Sequence, residues 1–74
     1  MKRVTNTLIL ALAIARLEQT IEDGMHSIEE WEAMGRNTEA IWFYDNIVRP
    51  DEEELGILKM LYEVETGTPY EKED

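Results

Sequence analysis

Leu10, Ala13, Ile14, Leu17 and Ile21 recur at i, i+3, i+4, i+7 and i+11. That spacing gathers side chains onto one face of an α-helix and scatters them across both faces of a strand. No alternating β-branched run elsewhere is long enough to argue for a strand. The chain is therefore expected to be all-α, and its 74 residues suffice for one small domain. That domain is expected over residues 1–65, as a compact bundle of about four short helices. Residues 66–74 combine Gly67, Pro69 and alternating charge without an apolar period, and read as a flexible acidic tail.

Local signals set the expected helix ends. The first helix runs from about Thr5 to Asp23, with Gly24 placed as the residue past its end that takes positive φ at little cost. Ser27-Ile28-Glu29-Glu30 has the form of a capping box, in which the hydroxyl and the later carboxylate satisfy each other's backbone amides. It opens a two-turn helix closed by Gly35. Asn37 is the expected cap of a third helix, which turns Ile41, Tyr44 and Val48 inward. Pro50, with no amide hydrogen, suits the first turn of a fourth. Asp51 to Glu54 then sit at that helix's positive end, where each carboxylate is favoured by about 0.3–1 kcal/mol at best. Leu55, Ile57, Leu58, Met60, Leu61, Tyr62 and Val64 give the fourth helix a wider apolar stripe than a surface helix needs. It is expected to sit centrally, with cover by a second molecule as the other reading.

Charge excludes more than it assigns. The chain carries a net charge of −10, and residues 51–74 alone hold nine carboxylates against Lys59 and Lys72. Such a surface repels phosphate backbones, whose binding requires Lys and Arg to displace counterions. It attracts basic protein surfaces and speeds encounter with them. Direct nucleic-acid binding is accordingly not expected. With no Cys there is neither a disulfide framework nor a thiolate metal site. Lys2 and Arg3 before the apolar run Leu8 to Ala15, with Ala13-Ile14-Ala15 beyond, have the form of a signal peptide. The run is far short of the ~20 residues of a membrane span. The stripe passes through the supposed cleavage site unbroken, so a helix of a cytoplasmic protein is the expectation, with no membrane partner.

Residues 27–61 resemble the helix-turn-helix of phage Cro and repressor proteins. The matching positions are Gly35, Asn37 as cap, Ile41 and Tyr44 as the buried pair, Asp45, Pro50, and then Leu55, Leu58 and Leu61 as a packing helix. The resemblance implies a compact domain of four or five helices with the third exposed on one side. Two departures stand out. Arg36 occupies a position that the family fills with Val or Ile, and the outward positions Thr38, Glu39, Trp42, Phe43 and Asn46 lack the basic side chains of a DNA reader. Trp42 and Phe43 have no use in a major groove.

Catalysis has little to stand on. His26 is the only His and Ser27 the only Ser, and adjacent residues do not converge on one substrate atom. Asp51 to Glu54 lack the alternating ligands and central Gly of a calcium loop. Four short helices leave scant room for a ligand pocket. No enzyme activity, metal or cofactor is expected. Trp42 and Phe43 both fall more than about 100° from the expected core face, at 100° per residue, and aromatics in such positions anchor interfaces. The expected partner surface is Glu39, Trp42, Phe43, Asn46 and Arg49, with Glu52, Glu53 and Glu54 supplying the field. The resulting expectation is a small acidic inhibitor of phage or mobile-element type. It would dock on a basic, nucleic-acid-handling host protein such as RNA polymerase or a CRISPR nuclease. A Cro-like DNA-binding regulator, a DNA mimic and a homo-oligomer built on the fourth helix are the alternatives.

Overall fold

The computed structural model describes residues 2–70 and is helical almost throughout, with no strand among the described residues. Two long helices, not four short ones, form an antiparallel hairpin. Helix α1 spans Lys2–Ala33; α2 (Asn37–Phe43), a π-helical turn (Tyr44–Val48) and α3 (Arg49–Thr66) follow one another without a break as the second arm.

The expected stop at Gly24 does not occur because the apolar repeat does not stop there. Beyond Ile21 the inward positions continue as Gly24, Ile28 and Trp31, so that from Leu10 to Trp31 the steps alternate between four and three residues. That is the heptad spacing of a helix whose seam faces a partner helix. An interior Gly costs a helix about 1 kcal/mol relative to Ala. Burying Ile28 and partly burying Trp31 in register offsets that loss, since fully burying one large apolar side chain is worth about 1.5–3 kcal/mol. Inside a continuous helix the Ser27 and Glu30 amides are not orphans, so the capping-box sequence has nothing to cap.

Gly24 is instead the point of closest approach. It is buried, and a Cβ built on it would lie 3.0 Å from Val48 Cγ2 and 3.2 Å from Phe43 Cε2. Around this crossing lie Ile28, Ala40 and Val48, with Ile21, Trp31, Phe43 and Tyr44 packed against them. Trp31 and Phe43 meet edge to face, with centroids 5.1 Å apart and planes at 78°. Farther down the hairpin Ile14 is fully buried, and a 3.2 Å ion pair between Lys59 Nζ and Glu18 joins α1 to α3.

Gly35 follows a helix end, as expected, but the helix it closes is α1 itself. At φ 77°, it lets Arg36 N–H donate to the Trp31 carbonyl at 2.8 Å while its own N–H donates to Glu32 at 3.0 Å, the two bonds of a Schellman motif. Asn37 is the first helical residue rather than the cap. Arg36 holds the cap position, with no side-chain hydrogen bond.

Pro50 does not start a helix. Val48 and Arg49 have helical φ and ψ, and the chain runs through Pro50 into α3. An interior proline loses a hydrogen bond, and its ring crowds the carbonyl four residues back. The π turn directly before it, with Arg49 N–H reaching the Tyr44 carbonyl, opens the backbone at the crowded place. Its extra residue also resets the seam. Buried Ala40 and Val48 stand eight apart, with Tyr44 half-buried midway, and Leu55, Leu58 and Tyr62 then resume the helical repeat. The inward position before the bulge thus falls on Ala40. Ile41, expected in the core, is 63% exposed.

Helix α3 is not central. None of its residues is buried, and Ile57, Met60, Leu61 and Val64 face solvent. Of the expected tail, Thr66 ends α3 and Tyr70 packs edge-on against Tyr62 at 5.2 Å. Glu71 to Asp74 lie outside the described residues.

The two mid-helix glycines should respond oppositely to substitution. A methyl placed on Gly56 would meet nothing within 4 Å, so Gly56→Ala should stabilise by up to about 1 kcal/mol. For a domain of this size that raises the thermal midpoint by roughly 4–8 °C. Gly24→Leu must push Val48 and Phe43 aside, and should destabilise by about 1–3 kcal/mol. Thermal unfolding followed by circular dichroism measures both.

Candidate functional site

The expected partner surface divides along the second arm. Glu39, Trp42, Asn46 and Glu53 follow one another at steps of three, four and seven residues, and all are exposed. Trp42 is 59% exposed. Asn46 Nδ2 donates to the Trp42 carbonyl at 2.9 Å, tying its side chain to the preceding turn. Glu39 lies 3.8 Å from Arg36, and Arg49 lies 4.0 Å from Asp45. Both pairs are local and solvent-exposed, the kind that contributes little to stability.

Phe43 is not part of this surface. It is half-buried, committed to Trp31 on one side and to the Gly24 crossing on the other. The expectation that it stands outside the core stripe fails because the inward face before the bulge is Ala40, Phe43 and Tyr44, rotated by one residue from the Ile41-based face. Trp42 alone remains as an outward aromatic in this segment. Near it, at the turn end of the hairpin, Met34 and Ile41 are each 63% exposed. Sequence reasoning misses both: it places Ile41 in the core and gives Met34 no role. Two apolar residues flanking the Gly35 turn, outside the α1 repeat, are the signal that could have found them.

Glu52 turns back toward the π segment, where its carboxylate accepts a 2.9 Å hydrogen bond from the Tyr44 hydroxyl. That hydrogen bond, reinforced by the negative charge of Glu52, raises the Tyr44 phenol above its ordinary value. The neutral phenol is the donor, so the contact is intact below the ordinary phenol range and is lost as pH rises through the raised value. Glu53 and Glu54 are exposed, and the three ion pairs among the described residues engage none of Glu52, Glu53 and Glu54.

Open grooves flank the hairpin among the described residues. One, of about 410 Å³, is lined by Met25, Ile28, Ala40, Ile41 and Tyr44, with Glu32 and Asp45 at its edge. Another, of about 430 Å³, lies between α1 and α3 and is lined by Ile9, Leu10, Leu61, Val64 and Glu65. Neither is lined by His26 or Ser27. Among the described residues no three His, Asp or Glu side chains are grouped to hold a metal ion, and no helix is long and apolar enough to cross a membrane.

Replacing Glu52 with Gln removes the charge while keeping an acceptor. In Glu52→Gln, Tyr44 should ionise closer to the ordinary phenol range, read by ultraviolet difference titration. A Tyr44 titration unchanged by the substitution contradicts the assigned cause.

No protein-family model, no curated protein and no solved structure matches this chain.

Proposed function

We propose that the chain is a non-enzymatic, acidic protein-binding hairpin that regulates a host protein with a basic surface. Trp42 is the anchor, and the carboxylates of Glu52, Glu53 and Glu54 supply the steering field. The observation that carries the reading is Trp42 itself. It is a large aromatic held clear of the core on α2, between Glu39 and Asn46, in a segment whose other aromatics pack inward. Trp at a helical, solvent-facing position can be desolvated by a partner without any prior unfolding, and such residues dominate alanine scans of interfaces.

The charge supports the partner's class. Exposed carboxylates outside any ion pair attract a positive patch, raise the association rate and make it fall with salt. Basic surfaces of that kind are characteristic of proteins that handle nucleic acid, which keeps enzymes such as RNA polymerase or a CRISPR nuclease as the target class. A phage or mobile-element inhibitor is the biological setting this reading proposes.

The experiment is a pull-down from nuclease-treated host lysate, followed by affinity measurement on the retained protein. Trp42→Ala is the informative variant, because Phe43→Ala would damage the core. Loss of Trp42 should weaken binding by about thirtyfold, the equivalent of a 2 kcal/mol anchor. Neutralising Glu52, Glu53 and Glu54 to Gln should mainly slow association and flatten its salt dependence. Binding that survives Trp42→Ala but vanishes in the triple variant would make charge mimicry of DNA the better account.

A further inference from the structure

We infer that the open end of the hairpin, where the start of α1 meets the end of α3, is a self-association face that pairs two copies of this chain. On α3, Ile57, Leu61 and Val64 form a second apolar stripe at i, i+4 and i+7, separate from the inward Leu55, Leu58 and Tyr62. Val64 is 78% exposed and Leu61 48%. Across the groove Ile9 of α1 adds to the same face, and Glu65 is the one carboxylate in its lining.

Surface area sets what this face requires. A close-packed monomer of 8.7 kDa exposes about 4,700 Å², whereas this chain exposes 5854 Å². The excess of roughly 1,100 Å² is of the order that each partner buries in a standard interface, about 800 Å². The radius of gyration, 15.1 Å, exceeds the ~11 Å of a close-packed chain of this length and matches the ~15 Å of one twice as long. A hairpin whose α3 has no buried residue becomes a conventional four-helix bundle when a second hairpin covers it.

Charge selects the second copy as occupant. Two chains of net charge −10 repel wherever their carboxylates face each other. Residues 7–17 contain Arg16 and no carboxylate, and the stripe on α3 begins only past Asp51 to Glu54. Glu63 and Glu65 flank the α3 stripe, so the acid-free start of α1 is the part of the open end that α3 of a second copy approaches without opposed carboxylates. A basic partner, by contrast, has its complement in Asp51 to Glu54, on the preceding turns. A two-fold contact uses one patch twice, and a two-fold through the middle of the stripe brings Leu61 close to Leu61 of the second copy. The turn end with Trp42 stays clear of this contact, so a pair would offer two anchors to a target and gain avidity. Self-association does not depend on the proposed target, and it is tested without one.

Sedimentation equilibrium of the full chain at micromolar concentrations should give twice 8.7 kDa. Leu61→Glu/Val64→Glu, which changes only exposed positions, should raise the dissociation constant about a hundredfold or more by placing charges in the apolar contact. The helical circular dichroism should persist, and Trp42→Ala should leave the pair intact. A wild-type chain that stays single across the range overturns the inference, as does a pair that survives the double substitution. Should the double variant unfold, Leu61→Cys decides: the chain has no other Cys, so mild oxidation should yield a covalent pair, and Glu53→Cys should not. Failure of Leu61→Cys to cross-link overturns the inference.

Discussion

Everything in this hairpin depends on how closely its two arms approach at Gly24. Without a Cβ, α1 accepts Val48 and Phe43 against its backbone. That closeness lets Ile28, Ala40 and Val48 bury one another and sets Trp31 edge-on to Phe43. Among the described residues the buried hydrophobics are only Ile14, Ile28, Ala40 and Val48. With so small a core, one crossing sets the relative position of the arms, and the rest of the seam from Leu10 to Trp31 follows the heptad spacing. The charge of the chain plays little part in this; among the described residues the ion pairs are few and mostly exposed.

The π turn is the second constraint, and it links fold to surface. By admitting one extra residue before Pro50, it keeps the second arm continuous while rotating the residues that precede it relative to those that follow. Ala40 and Phe43 are thereby turned inward, Ile41 and Trp42 outward. The same segment anchors Glu52 through Tyr44. A single local irregularity thus decides which aromatic is core and which is available to a partner. π-bulges occur often at functional sites for this reason: they re-aim side chains on an otherwise regular helix.

The all-helical class was legible, because the Leu10 to Ile21 repeat admits nothing else. So was a helix end at Gly35, though it closes α1 itself and not a separate two-turn helix. The helix count was not legible from local signals. Gly24, the Ser27 to Glu30 box and Pro50 each match a helix-end pattern, but such patterns act only where the flanking apolar repeat breaks. Here Ile21, Gly24, Ile28 and Trp31 carry it straight through. At the candidate surface, the outward placement of Trp42 was readable and the inward placement of Phe43 was not. Separating two neighbouring residues on one helix requires the rotation introduced by the π turn, and no short motif encodes it. The exposed stripe of α3 was visible as a surplus of apolar residues, but its exposure follows from there being two arms to cover it rather than four helices.

Two uninterrupted helices, crossing at Gly24, present Trp42 and the α3 stripe to solvent. Residue-by-residue amide hydrogen exchange with backbone chemical shifts tests this most directly. Helical shifts should run without interruption from the start of α1 to Ala33, and again from α2 through the π turn and Pro50 to the end of α3. The non-helical break between the arms should fall at Gly35, with the strongest protection around Gly24 and Val48. Non-helical shifts and fast exchange at Gly24 to Ser27, or a break at Arg49 and Pro50, would contradict it and restore a bundle of shorter helices.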